Sequence, residues 1–152
     1  MGRINRVSQE SPGLRRCGSA RRGPEYHGSV ILKRFRRRSA EDVRSRLGAE
    51  NISVIDERAN SFGIESKGVV QIRGNGCLAA SDEELMFLMW LPRRELVIPR
   101  PLITGVERVR SHLGKTIGRD LLKVTFTSSE GNPDSVAWYV SDIEAWESAL
   151  RT

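Results

Sequence analysis

Leu121-Leu122-Lys123-Val124-Thr125-Phe126-Thr127, then Ser135-Val136-Ala137-Trp138-Tyr139-Val140, then Ser141-Asp142-Ile143-Glu144-Ala145-Trp146-Glu147-Ser148-Ala149-Leu150-Arg151: these three pieces decide the fold. The first two alternate with period two. Leu122, Val124 and Phe126, and then Val136, Trp138 and Val140, each fall on one face of a strand. The third has a helical period, with Ile143, Trp146, Ala149 and Leu150 on one stripe. Ser141 and Glu144 have the spacing of a capping box, so Ser141 is the expected N-cap. Two half-buried strands followed at once by an amphipathic helix describe a sheet with an open end and a plug for it.

Upstream of these pieces the same grammar repeats. Residues 69–73 alternate, with Val70 and Ile72 inward, and Gly74-Asn75-Gly76 predicts a hairpin turn because both turn positions of Asn-Gly tolerate positive φ. Residues 77–81 return with Leu78 and Ala80 inward. Ser81-Asp82-Glu83 turns the chain into residues 85–91, a strand apolar on both faces. Pro92-Arg93-Arg94 leads to residues 95–98. Pro99 and Pro101 then punctuate, and Ile103, Val106 and Val109 belong to an irregular turn running into a strand toward His112. Seven short strands and one terminal helix give a mainly β fold, a small sandwich or barrel. Trp146 and Leu150 would cover its open end.

The first third of the chain has a different character. Residues 1–38 hold eleven Arg and Lys against two Glu, a net charge of +9, whereas residues 39–152 carry −3. The basic character therefore belongs to an arm and not to the folded part, which argues against a nucleic-acid surface spread over the domain. Residues 1–28 are rich in Arg, Gly, Ser and Pro and lack apolar periodicity, and the arm as a whole, residues 1–38, is expected to be disordered. At its base Val30, Ile31, Leu32 and Phe35 interleave with Lys33, Arg34, Arg36, Arg37 and Arg38, the composition of an interfacial anchor on anionic lipid. Residues 39–47 predict a short helix capped by Ser39, with Ala40, Val43 and Leu47 as its stripe and Gly48 as its stop. Residues 51–67 mix a strand-like Ile52-Ser53-Val54-Ile55 with turn residues. The expected division is thus an arm over 1–38, a helix and connection over 39–67, and a domain over 68–152.

No pattern of catalytic or metal-ligating residues emerges. Cys17 and Cys77 stand sixty residues apart, and His27 and His112 are isolated. Gly74-Asn75-Gly76 lacks the third glycine and following helix of a dinucleotide cradle. Gly114-Lys115-Thr116 lacks the preceding glycine and the helix of a phosphate-binding loop. Residues 112–120 still bring Lys115 and Arg119 into a glycine-containing loop, a candidate anion-binding loop. No secretory signal is evident. The longest apolar run, residues 85–91, falls far short of the roughly 20 residues that span a bilayer, so a cytoplasmic location is expected.

The segment Gly76-Cys77-Leu78-Ala79-Ala80-Ser81-Asp82-Glu83-Glu84-Leu85-Met86-Phe87 resembles the opening of GRAM and related pleckstrin-homology-like domains. Those have a glycine, a strand ending in Thr or Ser, a turn, and a strand carrying Leu-x-Phe. The proline-flanked Ile103-x-x-Val106, the alternating strand pair and the final helix with an inward Trp extend the likeness over residues 68–151. It implies a seven-stranded, partly open barrel capped by a C-terminal helix, without enzymatic activity or cofactor, that binds lipid headgroups or protein segments. In such domains the loop between the first two strands is basic. Here that loop, residues 73–76, holds one base, with Arg93 and Arg94 adding charge at the same rim and Glu130 and Asp134 opposing it. The expected function is a binding or adaptor module at the inner face of a bacterial membrane, or a protein scaffold. The alternative is a nucleic-acid-associated protein using its basic arm, but Tyr26 and Phe35 are that arm's only aromatics for stacking on bases.

Overall fold

The computed structural model describes residues 25–68 and 73–151. The expected disorder of residues 1–24 and the expected strand over 69–72 lie outside the described residues. The first element is a helix of 23 residues, α1 (Glu25–Leu47). It corrects the expectation of disorder through residue 38, and it absorbs the short helix expected over 39–47. No glycine or proline interrupts residues 29–47, and Leu, Arg, Lys, Ala and Glu are good helix formers. The charge run hid a helix whose second half carries the apolar stripe.

Seven strands follow: β1 (Ile52–Ile64), β2 (Gly74–Ser81), β3 (Glu84–Met89), β4 (Arg94–Pro99), β5 (Ile103–Val109), β6 (Leu121–Thr127) and β7 (Pro133–Tyr139). They form one antiparallel sheet in the order β4-β3-β2-β1-β7-β6-β5, with β4 and β5 as unclosed edges. The strand β1 is central. It pairs with β2 from Ile52↔Ser81 to Ser61↔Gly74 and with β7 from Asn60↔Tyr139 to Ile64↔Val136. Register shifts after Asp56 and after Ser61, and Gly63 at φ 104°, bend it from one half of the sheet into the other. Its polar residues Asp56, Glu57, Arg58 and Asn60 break the alternation, which is why only residues 52–55 read as a strand. The boundary expected at residue 67 therefore falls inside the folded unit.

Gly74-Asn75-Gly76 is not a turn. It opens β2, with Asn75 opposite Asn60 and the Asn60 Nδ2–H donating to Asn75 Oδ1 at 2.7 Å. The glycines are there for close approach. A Cβ on Gly76 would lie 2.5 Å from the Leu88 carbonyl oxygen and 2.6 Å from the Phe87 ring, and one on Gly74 would lie 2.5 Å from Met89 Sδ. Strand β5 starts directly at Ile103, after a short 3₁₀ turn at Arg100–Leu102, where an irregular turn was expected.

The two apolar faces of β3 have separate partners. Leu85 and Phe87 point into the main core with Leu78, Ile98, Leu122, Val124, Phe126, Val136, Trp138, Val140, Trp146 and Leu150. Met86 and Leu88 point outward, where Ala40, Val43 and Leu47 of α1 cover them together with Cys77 and Ala79. A third cluster, Phe62, Leu121 and Ala137, lies apart from both. The closing helix α2 (Ile143–Arg151) seats Trp146 and Leu150 in the main core as expected. Its cap is shifted by one residue. Asp142 Oδ1 accepts from the Ala145 N–H at 3.1 Å, while the Ser141 N–H and hydroxyl both donate to Asp56 Oδ2, at 2.6 and 2.8 Å. The buried carboxylate of β1 takes Ser141 away from the helix, and Asp142 replaces it.

Candidate functional site

The helix α1 has two unlike halves. From Ser39 onward it is docked: Ser39, Ala40, Val43 and Leu47 are buried, and ion pairs fasten its flanks. Arg44 reaches Glu57 at 2.7 Å, Arg36 approaches the same carboxylate at 3.8 Å, and Arg93 reaches Asp42 at 2.7 Å. Arg46 forms a two-pronged pair with Glu95, with Nη2 to Oε1 at 2.8 Å. That partnership holds the Glu95 carboxyl below its ordinary pKa and raises Arg46.

Residues 30–34, before it, are exposed. Val30, Ile31 and Leu32 are 46, 52 and 51 % exposed, an unusual density of open aliphatic surface on one helical turn. Ile31 and Leu32 stand four and three residues before the half-buried Phe35 and so share its side of the helix. Lys33 and Arg37 form a second row at the i, i+4 spacing, and Arg34 and Arg38 a third. Lys33, Arg34 and Arg38 have no ion-pair partner among the described residues, and Arg37 has only Glu41, at 2.8 Å within an exposed i, i+4 pair. Of the four arginines expected to act together, Arg34, Arg37 and Arg38 thus face solvent while Arg36 is turned to Glu57.

The rim residues separate as well. Arg93 is engaged with α1 through Asp42, whereas Arg94 borders a cleft of about 240 Å³ on the inner face of the sheet. Arg94, Met89, Gly76 and Ala59 lie side by side across β4, β3, β2 and β1, and Gly74 follows opposite Ser61. The cleft is floored by Phe87, Met89, Leu96 and Ile64 and bordered by Lys67 and Arg94, and the Met89 and Phe87 side chains fill the space over Gly74 and Gly76. Sequence reasoning missed Lys67 and this floor.

Lys115 and Arg119 also have partners. The loop between β5 and β6 folds over the outer side of β1 and β7. Lys115 Nζ donates to the Phe62 carbonyl at 3.5 Å, Arg119 Nη1 donates to the Tyr139 hydroxyl at 2.8 Å, and the Arg119 guanidinium lies 5.7 Å from that ring's centre. His112 Nε2–H donates to the Gly63 carbonyl at 2.9 Å, and burial pulls its pKa down. The two cations therefore hold the loop against the sheet, and the structure does not gather them around an open anion cradle.

Among the described residues no group of three His, Cys, Asp or Glu side chains is placed to hold a metal ion. Cys77 lies beneath α1, where burial pushes its thiol up to about 12. The turn at Asp82-Glu83-Glu84 is closed by the Ser81 hydroxyl, which accepts from the Glu83 and Glu84 N–H groups, and its acids border a polar hollow beside Arg46. No described helix is long and apolar enough to cross a membrane. No protein-family model matches the chain, and no curated protein sequence matches it either.

Proposed function

We propose that the chain is a non-enzymatic binding module of the pleckstrin-homology-like kind, cytoplasmic and attached peripherally to anionic membrane through the exposed apolar and basic turn of α1 around residues 30–38. The sheet order with a terminal helix seated in its core supports the family reading. The observation that carries the membrane reading is the open Val30-Ile31-Leu32 turn flanked by Lys33, Arg34, Arg37 and Arg38. Burying the remaining half of three aliphatic side chains contributes about 2–4 kcal/mol, and each cation adds about 1 kcal/mol at most near anionic lipid. Neither alone holds a protein on a bilayer, and together they reach micromolar binding. A protein partner would also be served by the apolar turn, but it would not call for four cations around it.

Sedimentation with phosphatidylglycerol-containing vesicles at low salt tests this. Wild type should pellet, and pelleting should fade as the Debye length shrinks toward about 8 Å at physiological ionic strength. Substituting Arg34, Arg37 and Arg38 with Gln should abolish most of it, as should Ser at positions 30–32. Arg36 is spared because it faces Glu57. Substituting Arg93 should change little, since that cation is engaged with Asp42. If wild type ignores anionic vesicles but retains nucleic acid at the same salt, the basic segment serves phosphate backbones and the membrane reading is wrong.

A further inference from the structure

Between α1 and β1 lies an open hollow of about 350 Å³ whose lining includes Lys33, Arg36, Arg37 and Arg44 from the helix and Glu57 from the strand. Glu57 stands at the register shift of β1 that follows Asp56. Asp56 turns to Ser141, and Glu57 turns to the helix. Its two oxygens are used unequally. Oε1 accepts from Arg44 Nη2 at 2.7 Å, whereas Oε2 is 3.8 Å from Arg36 Nε, too long for a hydrogen bond. The first pair fastens the docked half of α1. The second holds Arg36 by charge alone, with the two side chains still 28 and 34 % exposed. Arg36 also follows Leu32 by four residues and Lys33 by three, so it stands on the same side of the helix as the exposed turn.

We infer that Glu57 competes with anionic lipid for Arg36 and thereby sets the strength of attachment through α1, an inference that rests on the membrane reading above. A lipid phosphate can take a guanidinium by two short charge-assisted hydrogen bonds. Glu57 makes none to Arg36, and the hollow beside the pair is open. In the unbound protein the carboxylate neutralises one of the cations next to the apolar turn, and a phosphate must displace it to use that cation.

A double-substitution cycle read by sedimentation with phosphatidylglycerol-containing vesicles at low salt tests this. Glu57→Gln should tighten binding about fivefold, the contribution of one further cation near anionic lipid. Arg36→Gln should weaken wild type by less than about twofold, since Glu57 already holds that cation. In the Glu57→Gln background the same change should remove the whole gain. Arg44→Gln breaks the docking pair but leaves Glu57 to Arg36, so it should not tighten binding. Each pair is partly exposed, so none of these substitutions removes the fold. An additive cycle would mean that Glu57 acts only as a distant negative charge. Tightening by Arg44→Gln would mean that looser docking of α1, and not release of Arg36, strengthens attachment. Either result overturns the inference while wild type still pellets. If neither wild type nor Glu57→Gln pellets, the membrane reading itself falls and this inference falls with it.

Discussion

Trp146 is the side chain on which the closing of the main core rests. It is 1 % exposed, sits one turn before the buried Leu150, and brings α2 onto the core beside Trp138 and Val140. Truncating a large buried aromatic to Ala costs about 3–5 kcal/mol through lost transfer energy and the cavity left behind. Trp146→Ala should therefore lower the melting midpoint by about 10 °C or more in a chain of this size, followed by circular dichroism. A wild-type melt would mean that α2 does not close the core. This residue was legible in advance because helical period and an inward aromatic coincide at position 146. The cap was not, because Ser141 and Asp142 are both good N-caps, and the choice between them is made by Asp56, which is 85 residues away in sequence.

At the scale of elements, α1 joins the sheet over a small apolar contact. Ala40, Val43 and Leu47 cover Cys77, Ala79, Met86 and Leu88, and the main core contains none of them. Undocking α1 should therefore expose the Cys77 thiol without dissolving the sheet. In a Cys17→Ser background, Cys77 should react with a maleimide slowly, and Val43→Asp should speed the reaction at least tenfold while Trp emission stays native. A reaction rate unchanged by Val43→Asp would show that something other than α1 shields the thiol. The same contact explains what the sequence hid. Strand β3 reads as apolar on both faces because it has two partners, and which partner takes which face depends on a helix buried in a run of arginines. Six of the seven strands overlap expected ones, β6 and β7 through clean alternation, β3 through its apolar run, and β2, β4 and β5 in part. The seventh, β1, is bent and polar, so local periodicity failed where the strand changes partner. The site was legible in part for a similar reason. The exposed apolar and basic turn of α1 is a local pattern, whereas the cleft gathers residues from β1, β3 and β4 that are far apart in sequence.

For the molecule as a whole, acid should act at two sites in turn, both in the destabilising direction. Burial holds His112 below its ordinary value of 6.5, so the unfolded chain takes up that proton first. Stability is therefore intact above pH 6.5 and declines as pH falls from there to the lowered value in the fold. The second loss involves carboxylates. Arg108, donating through Nε and Nη2 to Glu147 Oε2 at 2.9 and 2.6 Å, holds that carboxyl below its ordinary 4.5, with Arg151 adding to it at 3.3 Å. Arg46 does the same for Glu95. A lowered carboxyl contributes stability that is present above pH 4.5 and lost as pH drops through the lowered value. These two pairs tie different parts together: Glu147 binds α2 to β5, and Glu95 binds β4 to α1. Denaturant midpoints measured from pH 8 to pH 3 should fall in two stages. His112→Gln should flatten only the decline that begins below pH 6.5, and Glu147→Gln only the one below pH 4.5. Added salt should blunt the second stage more than the first, because the Arg46–Glu95 pair is exposed and Arg108 partly so, while His112 is buried. A midpoint that stays level from pH 8 down to pH 5 would show that His112 is not held neutral by the loop that covers Phe62.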